Sequence, residues 1–102
     1  MAIKKRYLKN CNMCKVTFDV PKELTVTAKK VTVVGEFNNW DTSATPLRKL
    51  KDKVYKVTLD LEKGKEYQFR YLIDGKNWIN DWYADKYVSS PVGNCENSVV
   101  VL

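Results

Sequence analysis

The sequence predicts an all-β sandwich, and three observations carry that prediction. Apolar residues recur at every second position through several segments, the spacing of strands with one buried face. Turn formers punctuate those segments at short intervals. No segment shows the 3.6-residue apolar period of an amphipathic helix. The 102 residues, 44% of them hydrophobic, suffice for one domain with a modest core.

Residues 15–20 alternate, with Val16, Phe18 and Val20 on one face, and stop at Pro21. Residues 22–30 read as a polar connection. Val31-Thr-Val-Val34 is a short, continuously apolar strand of the kind buried in a sheet core, and it breaks at Gly35. In the next stretch Phe37 is a core anchor, and Asn38-Asn39 tolerate the left-handed backbone of a tight reversal. Trp40 then lands on a loop tip, as one wall of a binding surface or a lid on the core. Residues 41–46 are loop by composition, and 47–50 form a short edge strand.

Residues 54–61 are the clearest strand, with Tyr55, Val57, Leu59 and Leu61 inward and Lys56, Thr58 and Asp60 outward. A turn at 62–65 has Gly64 available for positive φ. Residues 66–73 repeat the alternation: Tyr67, Phe69, Tyr71 and Ile73 inward, Gln68, Arg70 and Leu72 outward. The two strands are expected to pair as a long hairpin, with Asp74-Gly75 closing the far end. Residues 77–87 are aromatic-rich and irregular, and 91–94 form a turn. Residues 98–102 end the chain as a strand with Val99 and Val101 on one side. About seven short antiparallel strands with regular turns indicate a sandwich of immunoglobulin-like type.

The net charge of +6 is unevenly spread. Lys4, Lys5, Arg6, Lys9 and Lys15 put five positives and no acid in the first 15 residues, leaving 13 basic and 12 acidic residues elsewhere. Residues 1–14 therefore read as a short solvated basic arm and 15–102 as the folded module, with no nucleic-acid partner expected. There is no 18-residue apolar run and no apolar stretch behind the N-terminal charges, so neither a membrane span nor a secretory signal is expected. The expected location is cytoplasmic.

Cys11-Asn-Met-Cys14 has zinc-ligand spacing, but the chain has no histidine and only one further cysteine, Cys95. A closed tetrahedral site needs four ligands, so reduced thiols and no metal are expected. Lack of histidine also excludes Ser-His and Cys-His nucleophiles. Asp74, Asp81 and Asp85 lie close in sequence, but aspartates in turns and loops are turn formers before they are acid catalysts. No glycine-rich phosphate loop is present, and no cofactor or enzymatic activity is expected.

The three tryptophans break the strand alternation, and each sits in or beside a turn. An exposed indole is a large apolar face, and a pyranose ring has a matching C–H face. Arg70 and Gln68, with Asn77 or Asn97, are planar polar groups suited to the hydroxyls around a sugar's edge. Trp82 is expected instead to cap an end of the sandwich.

Gly35-Glu-Phe-Asn-Asn-Trp40, Tyr67-Gln-Phe-Arg-Tyr-Leu-Ile-Asp-Gly75, Trp78 and the segment 93–99 resemble the glycogen-binding carbohydrate-binding module family. That family includes the domain of the AMP-activated kinase β-subunit and the N-terminal domain of isoamylases and branching enzymes. The resemblance runs from about residue 15 to 102, with the motifs in the family's order. It implies an immunoglobulin-like sandwich that binds α-1,4-glucans such as glycogen, starch and maltooligosaccharides. Trp40 and Trp78 match the stacking tryptophans, and Arg70 stands where kinase-type modules place a lysine. Val92 falls on the position of a leucine that inserts into the curve of the glucan. Asn94 replaces a threonine, and Glu96 an asparagine ligand, with Asn97 beside it. An acid in place of an amide keeps an acceptor and loses a donor. The alternative function is a protein-interaction domain that docks onto or regulates a glycogen-metabolising enzyme, its tryptophans buried at that interface.

Overall fold

The computed structural model describes residues 2–9, 11–90 and 95–102. Their strands are β1 (Ala2–Tyr7), β2 (Met13–Val20), β3 (Val31–Gly35), β4 (Arg48–Lys49), β5 (Tyr55–Glu62), β6 (Glu66–Ile73), β7 (Asn77–Ile79), β8 (Lys86–Ser89) and β9 (Glu96–Val101). They form two antiparallel sheets, in the orders β1-β2-β5-β4 and β3-β6-β9-β8, with β7 paired to β6 beside β9. The fold is the all-β sandwich that the alternation predicts.

In β2 burial alternates residue by residue, with Cys14, Val16, Phe18 and Val20 inside. Facing them from the second sheet are Val31, Val33, Phe69, Tyr71, Ile73 and Val100. Phe18 meets Phe69 edge-on at 5.0 Å, and Phe69 meets Tyr71 at 5.6 Å. Each such ring contributes about 1.5–3 kcal/mol by leaving water, and edge-to-face packing adds to this. Cys14 is thus a core residue, whereas Cys11 and Cys95 are exposed.

β3 is an edge strand by pairing yet buried throughout. The free edge of β3 is covered by the segment after Trp40: Val33 N–H donates to Thr45 O at 3.0 Å and Leu47 N–H to Val31 O at 2.8 Å. Burial on both faces explains its unbroken apolar run.

Two expectations are corrected. Residues 1–14 are not wholly a solvated arm, because Ala2–Tyr7 pairs in full antiparallel register with β2. The charges of β1 do not oppose this, since alternate side chains of an edge strand face water. Lys5 reaches the other sheet's side and pairs with Asp85 at 2.6 Å. Second, β5 and β6 are not a hairpin: β5 pairs with β2 and β4, and β6 with β3, β9 and β7. The 62–66 turn crosses between sheets, with Gly64 at φ 77° donating its N–H to Leu102 O at 2.9 Å. Alternation marks which face is buried, and that face is equally buried when two strands lie opposite each other as when they lie side by side. The Asp74-Gly75 turn does close a hairpin, joining β6 to β7. Asp74 and Gly75 have φ 54° and 67°, and Lys76 N–H donates to Ile73 O at 3.0 Å.

Candidate functional site

The outer face of the second sheet carries the site. Along β6 the outward residues are Gln68, Arg70 and Leu72, and Leu72 pairs with Trp78 of β7. The two strands on that side of β6 meet near Arg70, where pairing passes from β9 to β7. Asn80 spans the gap. Its amide donates to Glu96 O at 2.9 Å, and its oxygen accepts from Ser98 N–H at 3.1 Å.

The opposite wall is the Gly35–Trp40 turn, in which each residue has a distinct task. Gly35 passes so close to β6 that a Cβ would lie 2.4 Å from Gln68 O, so only glycine fits. Glu36 reaches over the strand end and accepts Gln68 N–H at 2.6 Å. Phe37 packs on Phe18 at 5.6 Å. Asn38 ties the turn shut: its oxygen accepts Gly35 N–H, and its amide donates to Val33 O and Thr45 Oγ1, all at 3.0 Å. Asn39 and Trp40 are then both left-handed, at φ 57° and 58°. That conformation is sparsely populated for a bulky residue and is held by its surroundings. Trp40 N–H closes the loop on Gly35 O at 2.9 Å. Trp40 is left 39% exposed, and Trp78 42%.

Between these walls lies a cleft of about 600 Å³ lined by Glu36, Trp40, Thr42, Gln68, Arg70, Trp78, Ser89, Ser90 and Asn97. Asn97 is buried, and its amide donates to Gln68 Oε1 at 3.0 Å, fixing which way both amides point. Arg70 Nε is buried and has no hydrogen-bond partner among the described residues. The cleft therefore brings two tryptophans together with a guanidinium whose Nε has no partner among the described residues, an amide pair and several hydroxyls.

Five of the sequence candidates line this cleft: Trp40, Gln68, Arg70, Trp78 and Asn97. Glu96 does not, because strand alternation puts it on the other side of β9 from Asn97. Val92 and Asn94 lie outside the described residues. Asn77 is exposed in β7 and does not line the cleft. Glu36, Thr42, Ser89 and Ser90 were missed. Thr42 lies two residues after Trp40 and Glu36 four before it, and that proximity was the available signal.

Trp82 does not cap the sandwich; it is 57% exposed, beside exposed Tyr83 and Tyr87. Asp81 takes the inward place, fully buried. Its carboxylate accepts Tyr71 O–H at 2.7 Å and Tyr83 N–H at 2.8 Å, and that local turn sends Trp82 outward. Asp81 N–H donates to Ser98 Oγ at 2.9 Å, and Tyr87 O–H donates to Asp81 O. Burial raises the Asp81 pKa, against the opposing hydrogen bond from Tyr71. Tyr71 is pushed well above its usual range by burial and then by the Asp81 charge. The other two aspartates are also engaged. Asp74 accepts Lys29 and Lys30 N–H at 2.8 Å each, which lowers its pKa, and Asp85 accepts Val101 N–H at 2.7 Å beside its Lys5 pair.

A family model described as the glycogen recognition site of AMP-activated protein kinase matches residues 20–102. The match takes in β3 through β9, and so every described residue that lines the cleft. Comparison with curated proteins gives no match.

Proposed function

This chain belongs to the glycogen-recognition family, a family of non-catalytic binding modules, and on that footing we propose that the cleft binds α-1,4-glucan chains by stacking sugar rings on Trp40 and Trp78. Arg70 donates to ring hydroxyls between the two stacks, and Gln68 and Asn97 orient the sugar from the floor. Val92 and Asn94 follow Ser89 and Ser90 in sequence and complete the assignment by their position in the chain. Glu96 has only an indirect part, through the Asn80 bond to its carbonyl.

The observation that carries this reading is Arg70, whose buried Nε has no partner among the described residues, lining a cleft together with half-exposed Trp40 and Trp78. A buried donor without a partner costs about 1–3 kcal/mol, so the guanidinium is not held by the protein's own hydrogen bonds and its cleft-facing end is left to bond a ligand. Asn38 and Gly35 hold a strained Trp40 in place at the rim, which is the pattern of strain kept at a binding site.

Titration of the chain with maltoheptaose, with co-sedimentation on glycogen, tests the proposal. Stacking and neutral hydrogen bonds release no condensed counterions, so affinity should barely change between low and physiological salt. Absence of binding, or binding that survives Arg70→Ala and both tryptophan substitutions, overturns it. A second reading has its own observation, the exposed Trp82, Tyr83 and Tyr87 outside the cleft. Exposed aromatics of this kind suit docking to a glycogen-metabolising enzyme. Pull-down of such an enzyme, lost on Trp82→Ser with Tyr83→Ser and retained on Trp40→Ala, would establish it.

A further inference from the structure

Trp78 borders two clefts. Beyond it from the main one lies a smaller hollow of about 250 Å³, lined by Lys30, Thr32, Thr42, Ser43, Leu72, Gly75 and Trp78. Thr42 and Trp78 line both, so the hollow continues the main cleft across the indole. At about 30 Å³ per water the hollow holds on the order of eight waters, room for about one sugar unit seated in the open.

Its chemistry repeats that of the main cleft on a smaller scale. The floor is the outer face of Leu72 and Thr32, both almost fully buried, and one side is the Trp78 ring. The rim is polar, with the hydroxyls of Thr42 and Ser43 and the ammonium of Lys30. Ser43 Oγ donates to Asp41 at 3.0 Å and keeps its acceptor sites free for a ligand. Lys30 has no ion-pair partner among the described residues, so its donors are available. Its backbone is fixed by the Asp74 carboxylate, which accepts Lys29 and Lys30 N–H at 2.8 Å. No described atom outside its chain neighbours lies within 4 Å of where a Gly75 Cβ would stand, so the hollow is open beside Gly75.

Resting on the glucan reading of the main cleft, we propose that this hollow is a second glucan subsite, which takes the next unit of the chain after it passes over Trp78. Leu72 and Trp78 cover the apolar face of that unit, while Lys30, Thr42 and Ser43 bond its hydroxyls. The binding site then has a direction along the sheet, from Ser89 and Ser90 at one end to Lys30 and Gly75 at the other.

The test is a titration of the whole chain and of the Lys30→Ala/Ser43→Ala variant against maltooligosaccharides of increasing length. Both residues are exposed, so the variant should fold, which a thermal melt verifies. The expected result is an affinity for long oligomers reduced about three- to tenfold, with the shortest bound oligomer changed less than about twofold. Amide shifts of Lys30, Ser43 and Gly75 should move only with the long oligomers. An equal loss at every length, or no loss at any length, overturns the second subsite while leaving the main cleft intact. Failure of the unaltered chain to bind any length removes the glucan reading and this extension together.

Discussion

The cleft around Trp40 and Trp78 and the shoulder around Trp82 and Tyr83 both show aromatic rings to water, but differ in what lies beneath. Under the cleft, Arg70 Nε is buried without a partner among the described residues, and the amides of Gln68 and Asn97 are aligned by one shared bond. Under the shoulder, Asp81 is closed in by Tyr71, Tyr83 and Tyr87, with Ser98 and Asn80 completing the set. A satisfied polar network rigidifies the fold, whereas an incomplete one adjoining open apolar surface has room for a ligand. Ring exposure alone does not separate the two, since Trp82 is more exposed than either cleft tryptophan. The state of the buried polar atoms does.

Four experiments sharpen or break that contrast. The largest effect is expected for Asp81→Ala, which leaves the Tyr71 hydroxyl buried without an acceptor and opens a void. It should cost about 3 kcal/mol, on the order of 10–20 °C in melting temperature, with glucan affinity per folded molecule unchanged. A loss of affinity at full folding would mean that the network serves the cleft.

Trp40→Gly and Trp78→Ala come next. Covering an indole face and a sugar face removes roughly 50–60 Å² from each, about 2–3 kcal/mol per stack at ~25 cal/mol per Å² before ordering costs. Each substitution should therefore weaken binding to maltoheptaose at least about tenfold, as read by calorimetry. Glycine at position 40 also relieves a left-handed tryptophan, so its melting temperature should hold or rise. A collapse of folding in Trp40→Gly would show the ring to be structural.

A pH effect is third. Tyr71 is raised well above its usual value of 10.0, so the unfolded chain loses that proton first as pH climbs. The stability tied to Tyr71 is full below pH 10.0 and is lost as pH rises toward its folded value. Tyr71→Phe should flatten this alkaline fall in a melting-temperature profile, while lowering stability at neutral pH by stranding the Asp81 carboxylate. An unchanged alkaline slope would assign the fall to other groups.

The smallest effect is expected for Trp82→Ala. With the ring largely in water, melting temperature should shift by no more than about 0.5 kcal/mol equivalent, and affinity for maltoheptaose by less than about twofold. A destabilisation of several degrees would restore the capping role expected from sequence.

The sequence by itself determined the strands and their buried faces, because a period of two is a local property of the chain. The pattern of β2 and β6 was legible for this reason, as were the Asp74-Gly75 turn and the motif around Trp40. It also determined that Arg70 and Gln68 share an outward face, which brings them to the cleft floor. Only the tertiary structure decided which strand lies beside which. Alternation is indifferent to partner, so β5 and β6 fell in different sheets although their sequences suit a hairpin. β1 joined the sheet because an edge strand tolerates charge, which composition had read as solvation. Trp82 went outward because Asp81, the more polar neighbour, found enough hydrogen-bond donors to be buried in its place. Whether a polar group can go inside depends on partners distant in sequence, such as Tyr71 and Ser98 here, and no local pattern contains them.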